Sequence, residues 1–376
     1  MMLAPNRTLS AQVLGLHEAL PRWRALQEQA VATPFQTHEW CTGLYDGPGR
    51  AQGAEPLIVL IRDEASGQDL CLMPLMRIRR AGLRVITFAD FGLSDYILPM
   101  VAASGRFGKA DLARVWPRVL EALPRADLVH FDKIVSHLEE TENPLMGICG
   151  LHESDLSSWY APLPENWGDY EMGLSKQSRR ALRRRAYKLA ELGQAKHFMI
   201  CGGEDAGRMF ETLRKVRKER FDALGRQDVL DDPAIYDFYR GLVVSGASGM
   251  AMMSALKLNG EIIAHVFGLL HRQRFYMLAL TFRSESEAIA KCSPALVLVH
   301  ETMGALHKKG LRIYDFTIGD ERYKRMFGAI NEPLHEYMLP LSLKGRAYMA
   351  AKMARKRLRP LKARLMQLRS GKGKGG

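Results

Sequence analysis

Two apolar runs joined by an Asn-Gly dipeptide constrain the fold of this chain more than any other segment. Met250–Leu258 and Ile262–Leu270 flank Asn259-Gly260. Asn and Gly readily adopt the positive φ angles of a two-residue hairpin turn, so the runs are predicted to be antiparallel strands. A third run, Phe275–Leu280, follows the turn-forming residues His271–Arg274. The segment therefore predicts an antiparallel meander.

Helical patterns surround this meander. The predicted helices are Lys176–Leu192, Glu204–Ala223, Pro233–Ser245 and Pro294–Lys309, and further strands are predicted at Ala195–Ile200 and Leu311–Phe316. In the last helix Leu296, Val299 and Met303 recur at helical spacing. This order differs from the strand–helix alternation of a dinucleotide-binding fold, and the sequence contains neither GxGxxG nor a Walker motif.

The first part of the chain shows a comparable mixture. It predicts helices near Leu9–Ala32 and Ala110–Leu123, and strands at Pro56–Arg62, Asp69–Arg79, Leu83–Phe91 and Asp127–Phe131. Pro162, Pro164 and Gly168 indicate a linker. We therefore predict a mixed α/β (α+β) protein with an N-terminal domain at 1–165, a C-terminal domain at 166–343 and a tail at 344–376.

The basic charge of the chain is concentrated in that tail. The net charge is +13, but 344–376 contains twelve Lys/Arg and no Asp/Glu, which leaves 42 basic and 41 acidic residues elsewhere. Within Gly345–Arg369, apolar residues recur at three- and four-residue spacing: Ala354, Leu358, Leu361, Leu365 and Leu368. This predicts a basic amphipathic helix, interrupted at Pro360, that suits an anionic membrane surface or a partner groove.

A second basic cluster lies on the helix predicted at Lys176–Leu192. Its cations are Lys176, Arg179, Arg180, Arg183, Arg184, Arg185 and Lys188. An anionic polymer is one possible ligand, and an ordinary solvated face is the alternative. The absence of interleaved aromatic residues argues against nucleic-acid binding.

The cysteines exclude several classes of protein. Cys41, Cys71, Cys149, Cys201 and Cys292 are odd in number and scattered, without metal-ligand spacing. This argues against a disulfide framework and a metal site, and favours a cytoplasmic location. No secretion signal is recognised, and no apolar run reaches the length of a transmembrane helix.

An acidic and aromatic segment, Arg312–Gly328, is the strongest candidate for a functional site. It places Asp315, Asp320, Glu321, Tyr323 and Lys324 where a strand breaks at Gly319. Carboxylates, a phenol and an amine close together suit proton transfer or amine recognition. The alternative is a strand-to-helix turn in which Asp320 serves as a helix cap.

The chain resembles the cellulose-biosynthesis acetyltransferase-like (CelD/BcsL) branch of the GNAT superfamily. In the second half the matching segments are Leu174-Ser175-Lys176, Asn259–Ala264, Ser293-Pro294-Ala295 and Tyr314–Phe316 with Gly319–Lys324. In the first half they are Phe35-Gln36-Thr37 with Trp40, Met73-Pro74-Leu75 and Ser94-Asp95-Tyr96. The resemblance implies two GNAT-like folds in tandem, each a mostly antiparallel twisted sheet flanked by helices, related to the FemABX aminoacyltransferases.

The resemblance also implies a donor site for acetyl-CoA. The pantetheine arm would pair with the strand Phe275–Leu280, and the pyrophosphate would lie at a helix N-terminus. The residues expected at this site are Leu278, Leu280, Arg283, Lys291, Cys292, Ser293 and Ala295. The usual glycine-rich phosphate turn is missing, because no glycine occurs between Arg283 and Gly304.

Roles in catalysis follow from the same resemblance. Asp315 and Asp320 are candidates for orienting or deprotonating the nucleophile, Tyr323 for protonating the leaving thiolate, and Lys324 for contacting a phosphate or an oxyanion. The candidates for acceptor contact are Asp95, Tyr96 and His265, although a lone strand histidine is more often a core residue.

The expected function is therefore acetyl transfer to an amine or hydroxyl of a small-molecule or saccharide acceptor in polysaccharide biosynthesis. Two alternatives stay open at this point. One is a FemABX-like transfer from aminoacyl-tRNA, which lacks support because no coiled-coil arm separates the halves. The other is a non-catalytic binding module, which the glycine-poor turn would favour.

Overall fold

The computed structural model describes residues 7–103, 107–246, 249–283 and 286–355. In the first half the helices are α1 (Leu16–Gln27), α2 (His38–Leu44) and α3 (Lys109–Ala122). Its strands are β1 (Leu9–Leu14), β2 (Ala30–Val31), β3 (Glu55–Asp63), β4 (Asp69–Arg80), β5 (Leu83–Phe88), β6 (Met100–Ala102), β7 (Leu128–Ile134), β8 (His137–Leu138), β9 (Thr141–Glu142) and β10 (Leu151–Pro162).

The second half is richer in helix. Its helices are α4 (Trp167–Gly173), α5 (Lys176–Glu191), α6 (Gly203–Ala223), α7 (Pro233–Ser245), α8 (Glu287–Lys291), α9 (Pro294–Lys308) and a final helix, α10, at 343–355. Its strands are β11 (Ala195–Ile200), β12 (Ala251–Leu258), β13 (Glu261–His271), β14 (Arg274–Phe282), β15 (Ile313–Ile318) and β16 (Ile330–Pro340).

One large, mainly antiparallel sheet runs through both halves. Its main strand order is β1-β3-β4-β5-β7-β16-β10-β15-β14-β13-β12-β11. The predicted hairpin is present, since Leu258 of β12 pairs with Glu261 of β13 across Asn259-Gly260. Helices flank the sheet, so the predicted mixed α/β class is confirmed.

The two halves exchange strands at the centre of this sheet. β10, from the end of the first half, pairs antiparallel with β15 of the second. β16, which follows β15 in sequence, pairs with β10 and with β7 of the first half. The division of the chain at residue 165 stays a prediction, because β10 precedes it in sequence but lies beside second-half strands.

An aromatic core also joins the halves. Trp40 of α2 meets Phe238 of α7 edge-to-face with ring centroids 5.0 Å apart. Phe35 contacts Tyr276 of β14 in the same way at 5.8 Å. All of these rings are buried. Aromatic rings bury more apolar area than other side chains do. Their contacts between the two halves therefore stabilise both halves.

The N-terminal helix predicted at Leu9–Ala32 is wrong in its first part. Leu9–Leu14 is a strand, paired antiparallel with β3 from Leu9↔Asp63 to Leu14↔Ile58. The helix begins only at Leu16. The edge of β3 supplies hydrogen-bond partners for the backbone of these six residues. They therefore form a strand despite their local helical pattern.

The predicted tail is described only in its first part. The helix at 343–355 packs through Tyr348 against Leu83, Val85 and Leu128, and Lys352 pairs with Glu336. The rest of the predicted amphipathic segment, including Leu358, Leu361, Leu365 and Leu368, lies outside the described residues. In the described part of the chain, no helix is both long and apolar enough to cross a bilayer.

Candidate active site

The candidate site lies where two parallel strands diverge. β14 and β15 pair only over Arg274–Tyr276 and Ile313–Asp315. β14 also carries a bulge against β13, because Phe267 pairs with Ala279 whereas Gly268 pairs with Met277. Leu278 is thus an extra residue outside the ladder. A bulge bends its strand and leaves backbone groups unpaired, so it helps to open the gap.

The gap between the two strands opens onto a cavity of about 430 Å³. Its volume lies within the range of small-molecule sites. The strands β14 and β15, the helix α6, the first turn of α9 and the turn after β15 contribute its walls. The lining residues are Arg217, Arg220, Met277, Leu278, Ala279, Leu280, Phe282, Ala290, Ser293, Ala295, Leu296, Phe316, Thr317, Ile318, Glu321, Tyr323 and Lys324.

The start of α9 forms one end of the cavity. Pro294 occupies the first helical turn, and Ser293 before it takes a left-handed conformation with φ of 51°. Proline suits this position because its missing N–H would have no helical partner there. The predicted donor-site residues Leu278, Leu280, Ser293 and Ala295 all line this cavity.

Asp315 is the centre of a buried network that joins the two halves. It is 0% exposed. Its carboxylate accepts hydrogen bonds from Tyr96 Oη (2.7 Å), Arg274 Nε (2.8 Å) and the Thr317 amide (2.7 Å). Burial alone would lower the pKa of Arg274, but the adjacent Asp315 carboxylate raises it above its ordinary value. The carboxylate is thus fully engaged in holding Tyr96 and β15 in place.

Three other predicted residues lie in the turn after β15 and have different surroundings. Asp320 is exposed and pairs with Arg325 at 3.0 Å. Tyr323 lines the cavity, and burial raises its pKa well above the ordinary range. The Lys324 side chain is only 1% exposed, and its Nζ pairs with Glu321 Oε2 at 2.9 Å. The same Nζ donates to the carbonyl oxygens of Thr317 (3.4 Å), Ile318 (3.1 Å) and Gly319 (2.9 Å).

Asp95 comes from the first half but lies beside the cavity wall. Burial raises its pKa to about 6, although the Lys133 ammonium and the Thr317 hydroxyl favour the carboxylate form. Lys133 itself is held by Asp90 (2.9 Å) and by the Ser94 carbonyl oxygen (2.8 Å). A carboxyl with a pKa near neutrality can exchange protons at physiological pH.

Four other predicted residues lie away from the cavity lining. Arg283 pairs with Glu261 at 3.1 Å, and Lys291 pairs with Glu287 at 2.8 Å. Cys292 is buried, with its thiol directed at the Ala288 carbonyl oxygen. His265 is also buried, and neither ring nitrogen has a partner among the described residues. Burial lowers the pKa of His265 to about 4.

Two arginines were missed by the sequence analysis. Arg217 and Arg220 project from α6 into the cavity lining. Arg217 is bound by Asp228 through its Nε at 2.6 Å. Their i, i+3 spacing was the only available signal, because basic residues are common along α6. Among the described residues no group of three His, Cys, Asp or Glu side chains is placed to hold a metal ion.

Comparison with known proteins gives one family match by sequence. Residues 176–325 match the family described as acetyltransferase (GNAT) domain. This range contains α5 through most of the turn after β15, and hence the walls of the cavity. No curated protein matches the chain by sequence.

Solved structures extend the likeness to the whole fold. FemX is similar with a TM-score of 0.59 at 12% identity, over 88% of this chain and 97% of FemX. The C-terminal domain of a proposed lysylphosphatidylglycerol synthetase from Agrobacterium fabrum gives 0.52 at 12%, over 90% and 96%. A conserved protein of unknown function from Bacteroides thetaiotaomicron VPI-5482 gives 0.51 at 11%, over 89% and 100%. At such identities the likeness concerns the fold alone. Residues 176–325 are therefore similar in sequence to a GNAT acetyltransferase domain, and the chain shares its larger fold with FemX.

Proposed function

We propose that this protein transfers the acetyl group of acetyl-CoA to an amine or hydroxyl of a sugar or polysaccharide precursor, as a member of the cellulose-biosynthesis acetyltransferase-like branch. The observation that carries the proposal is the cavity between β14 and β15. It combines a bulged strand, an apolar floor and a helix N-terminus within the range that matches the GNAT domain.

The donor would enter as an extended chain along β14. The bulge at Leu278 leaves backbone groups outside the ladder with β13, and a pantetheine arm has amides that can pair with them. The amides of this bulge are also proposed to stabilise the oxyanion that forms when the thioester carbonyl is attacked.

Asp95 is the proposed general base. A carboxyl with a pKa of about 6 is ionised at neutral pH, yet basic enough to accept a proton from the attacking amine or hydroxyl. The Thr317 side chain hydrogen-bonds to Asp95 and thereby lowers the pKa of that carboxyl. Because Thr317 also lines the cavity, the proposed base lies next to the proposed donor site. Asp315 then acts as a positioning residue through Tyr96 and the Thr317 amide.

The remaining roles concern the leaving group and the turn. Tyr323 lines the cavity and is protonated at neutral pH, so its hydroxyl is proposed to donate a hydrogen bond to the departing thiolate. Lys324 is proposed to hold the end of β15, since its ammonium is already engaged by three carbonyl oxygens and Glu321. Asp320 is proposed to have a minor role because it is exposed and paired with Arg325.

Isothermal calorimetry with acetyl-CoA tests the donor. We expect saturable binding to the wild type and its loss in Ala295→Trp, whose indole would fill the start of the cavity. The matched control is Ala110→Trp, at an exposed position in the first turn of α3. Absence of wild-type binding would refute the proposed donor, whereas equal binding by both variants would place it elsewhere.

A thiol-release assay with amino sugars, other sugars and lipid-free saccharide precursors tests the acceptor. Acetyl transfer should appear as free CoA together with an acetylated sugar. If CoA is bound but no acceptor releases it, the protein is better described as a binding module.

A further inference from the structure

The turn that should bind the donor's phosphates has few free amides. Cys292 N donates to the Ile289 carbonyl oxygen, and Ser293 N donates to that of Ala290, both at 3.0 Å. Leu296 N donates to the Ser293 carbonyl oxygen at 2.9 Å, and Pro294 has no N–H. In this turn, the Ala295 amide is thus the one that is not used in such a hydrogen bond to a backbone carbonyl oxygen. A single amide with the dipole of α9 is a weak anion site, so the charge must come from elsewhere.

A cation on α6 lies in the lining of the same cavity. Arg220 shares it with Ala290, Ser293 and Ala295 of the phosphate turn. Its guanidinium carbon lies 5.1 Å from the centroid of the Phe282 ring, which also lines the cavity. Stacking on an aromatic ring restricts the guanidinium and leaves its N–H groups free at the edge.

Arg217 and Arg220 differ in their acidic partners. Arg217 is occupied by Asp228, with Nε 2.6 Å and 2.8 Å from the two carboxylate oxygens. Within the described ranges, no carboxylate forms an ion pair with Arg220. An exposed guanidinium above a cavity, held by a ring and not by an acid, suits an anionic ligand.

We propose that Arg220 binds the donor's phosphate groups and replaces the missing glycine-rich turn. The ligand class is a nucleotide pyrophosphate or phosphate, clamped between Arg220 and the first turn of α9. This inference rests on the proposed function, because it concerns the same donor site. Arginine suits the role since its planar fork donates two parallel hydrogen bonds to phosphate oxygens.

Calorimetric titration of the full chain tests this assignment with two ligands. Acetyl-CoA carries the phosphates, whereas S-acetylpantetheine has the same thioester arm without them. Arg220→Ala should weaken acetyl-CoA binding about tenfold or more, as expected for loss of a hydrogen bond between charged groups. It should leave the affinity for S-acetylpantetheine unchanged. Arg220→Lys should recover part of the loss, because it restores the charge but not the fork.

The matched control is Arg226→Ala, an exposed arginine outside the cavity lining that should bind both ligands like the wild type. Unchanged acetyl-CoA affinity in Arg220→Ala, or an equal loss for both ligands, would overturn the phosphate role while the proposed function stands. A wild type that binds neither ligand would refute the proposed function itself. An RNA hairpin with a single-stranded 3′ end forms a further arm: if Arg220→Ala affects the hairpin alone, the coenzyme is not the source of the phosphates.

Discussion

The two halves contain the same kind of parallel strand pair, but aromatic side chains fill the helix-covered face of this pair in the first half, whereas the second-half pair borders a cavity. β5 and β7 pair in parallel at Val85↔Leu128 and Ile86↔Val129, as β14 and β15 do in the second half. The helix α3 connects β6 to β7, and α9 precedes β15. The side chains around the two strand pairs differ.

Aromatic side chains fill the first-half pair on the face covered by α3, while a cavity of about 360 Å³ lies on its other face beside Thr87 and His130. Phe88 of β5 meets Phe131 of β7 with centroids 4.9 Å apart, and Trp116 of α3 contacts Phe131 at 6.0 Å. Tyr337 of the exchanged strand β16 closes the cluster, with its hydroxyl 3.1 Å from Trp116 Nε1. In the second half the corresponding space holds the cavity of about 430 Å³.

The helix N-termini differ as well. The segment Pro144–Gly147 packs on the start of α3 so closely that a Cβ on Gly147 would lie 2.1 Å from the Lys109 carbonyl oxygen. The first turn of α9 instead faces the cavity. The two halves therefore share an arrangement of strands and differ in what surrounds the N-terminus of the connecting helix.

The largest expected effect comes from the residue that the first half contributes to the second-half site. Asp95→Asn should lower kcat about a hundredfold or more, because it removes the proposed base without changing the shape of the side chain. The wild-type kcat/KM should rise with pH around an apparent pKa of about 6. A variant that keeps its activity, or the same pH limb, would show that the first half supplies no base.

Stability should change in the opposite direction for the same variant. The folded-state pKa of Asp95 is raised from 3.8, so the folded protein binds this proton more tightly than the unfolded chain. The wild type therefore loses stability as the pH rises from about 4 to above 6. Asp95→Asn should escape this loss and be more stable than the wild type at pH 7.5, with no gain below pH 4. Urea unfolding at both pH values measures the difference.

The aromatic filling of the first half gives the next largest effect. Phe131→Ala should lower the free energy of unfolding by about 3–5 kcal/mol, through lost burial and the cavity left behind. It should not add a second acetyl-CoA site, because Pro144–Gly147 still covers the start of α3. Urea unfolding and calorimetric stoichiometry check the two expectations. Two coenzymes bound per chain, in the wild type or the variant, would contradict the assigned difference between the halves.

The network between the halves should show a somewhat smaller effect. Asp315→Asn leaves the buried Arg274 guanidinium without its counter-charge, so the free energy of unfolding should fall by about 3 kcal/mol. Asp320→Asn in the same turn is the control, and its unfolding curve should match the wild type because this pair is exposed. Equal effects of the two substitutions would mean that burial does not distinguish these carboxylates.

Several residues of the cavity wall were predictable from sequence, whereas the burial of the nearby carboxylates was not. Leu278 and Ser293 follow from the strand pattern and the Ser-Pro helix start, which are local signals. Asp315 and Asp320 are five residues apart and look alike in sequence, yet one is 0% exposed and the other is at the surface. Burial depends on what the rest of the chain places over a residue, so no local pattern separates them.

The exchanged strands were missed for a related reason. β10 contains Glu153, Ser154 and Asp155 in its first half, and β16 begins with Ile330, Asn331 and Glu332. So many polar residues weaken the alternation of apolar and polar side chains by which a strand is recognised in a sequence. Their strand conformation depends on partners from the other half, with which they form backbone hydrogen bonds.

By itself the sequence determined the elements with strong internal periodicity and turn chemistry: the Asn259-Gly260 hairpin, the helices around it and the break at Gly319. These depend on backbone angles and on side chains a few residues apart, so short-range forces decide them. Only the tertiary structure decided which side chains fill the space beside each parallel pair, which carboxyl is buried and how the halves interlock. Those outcomes depend on packing and desolvation between residues up to about two hundred positions apart, as in the contact of Tyr96 with Asp315.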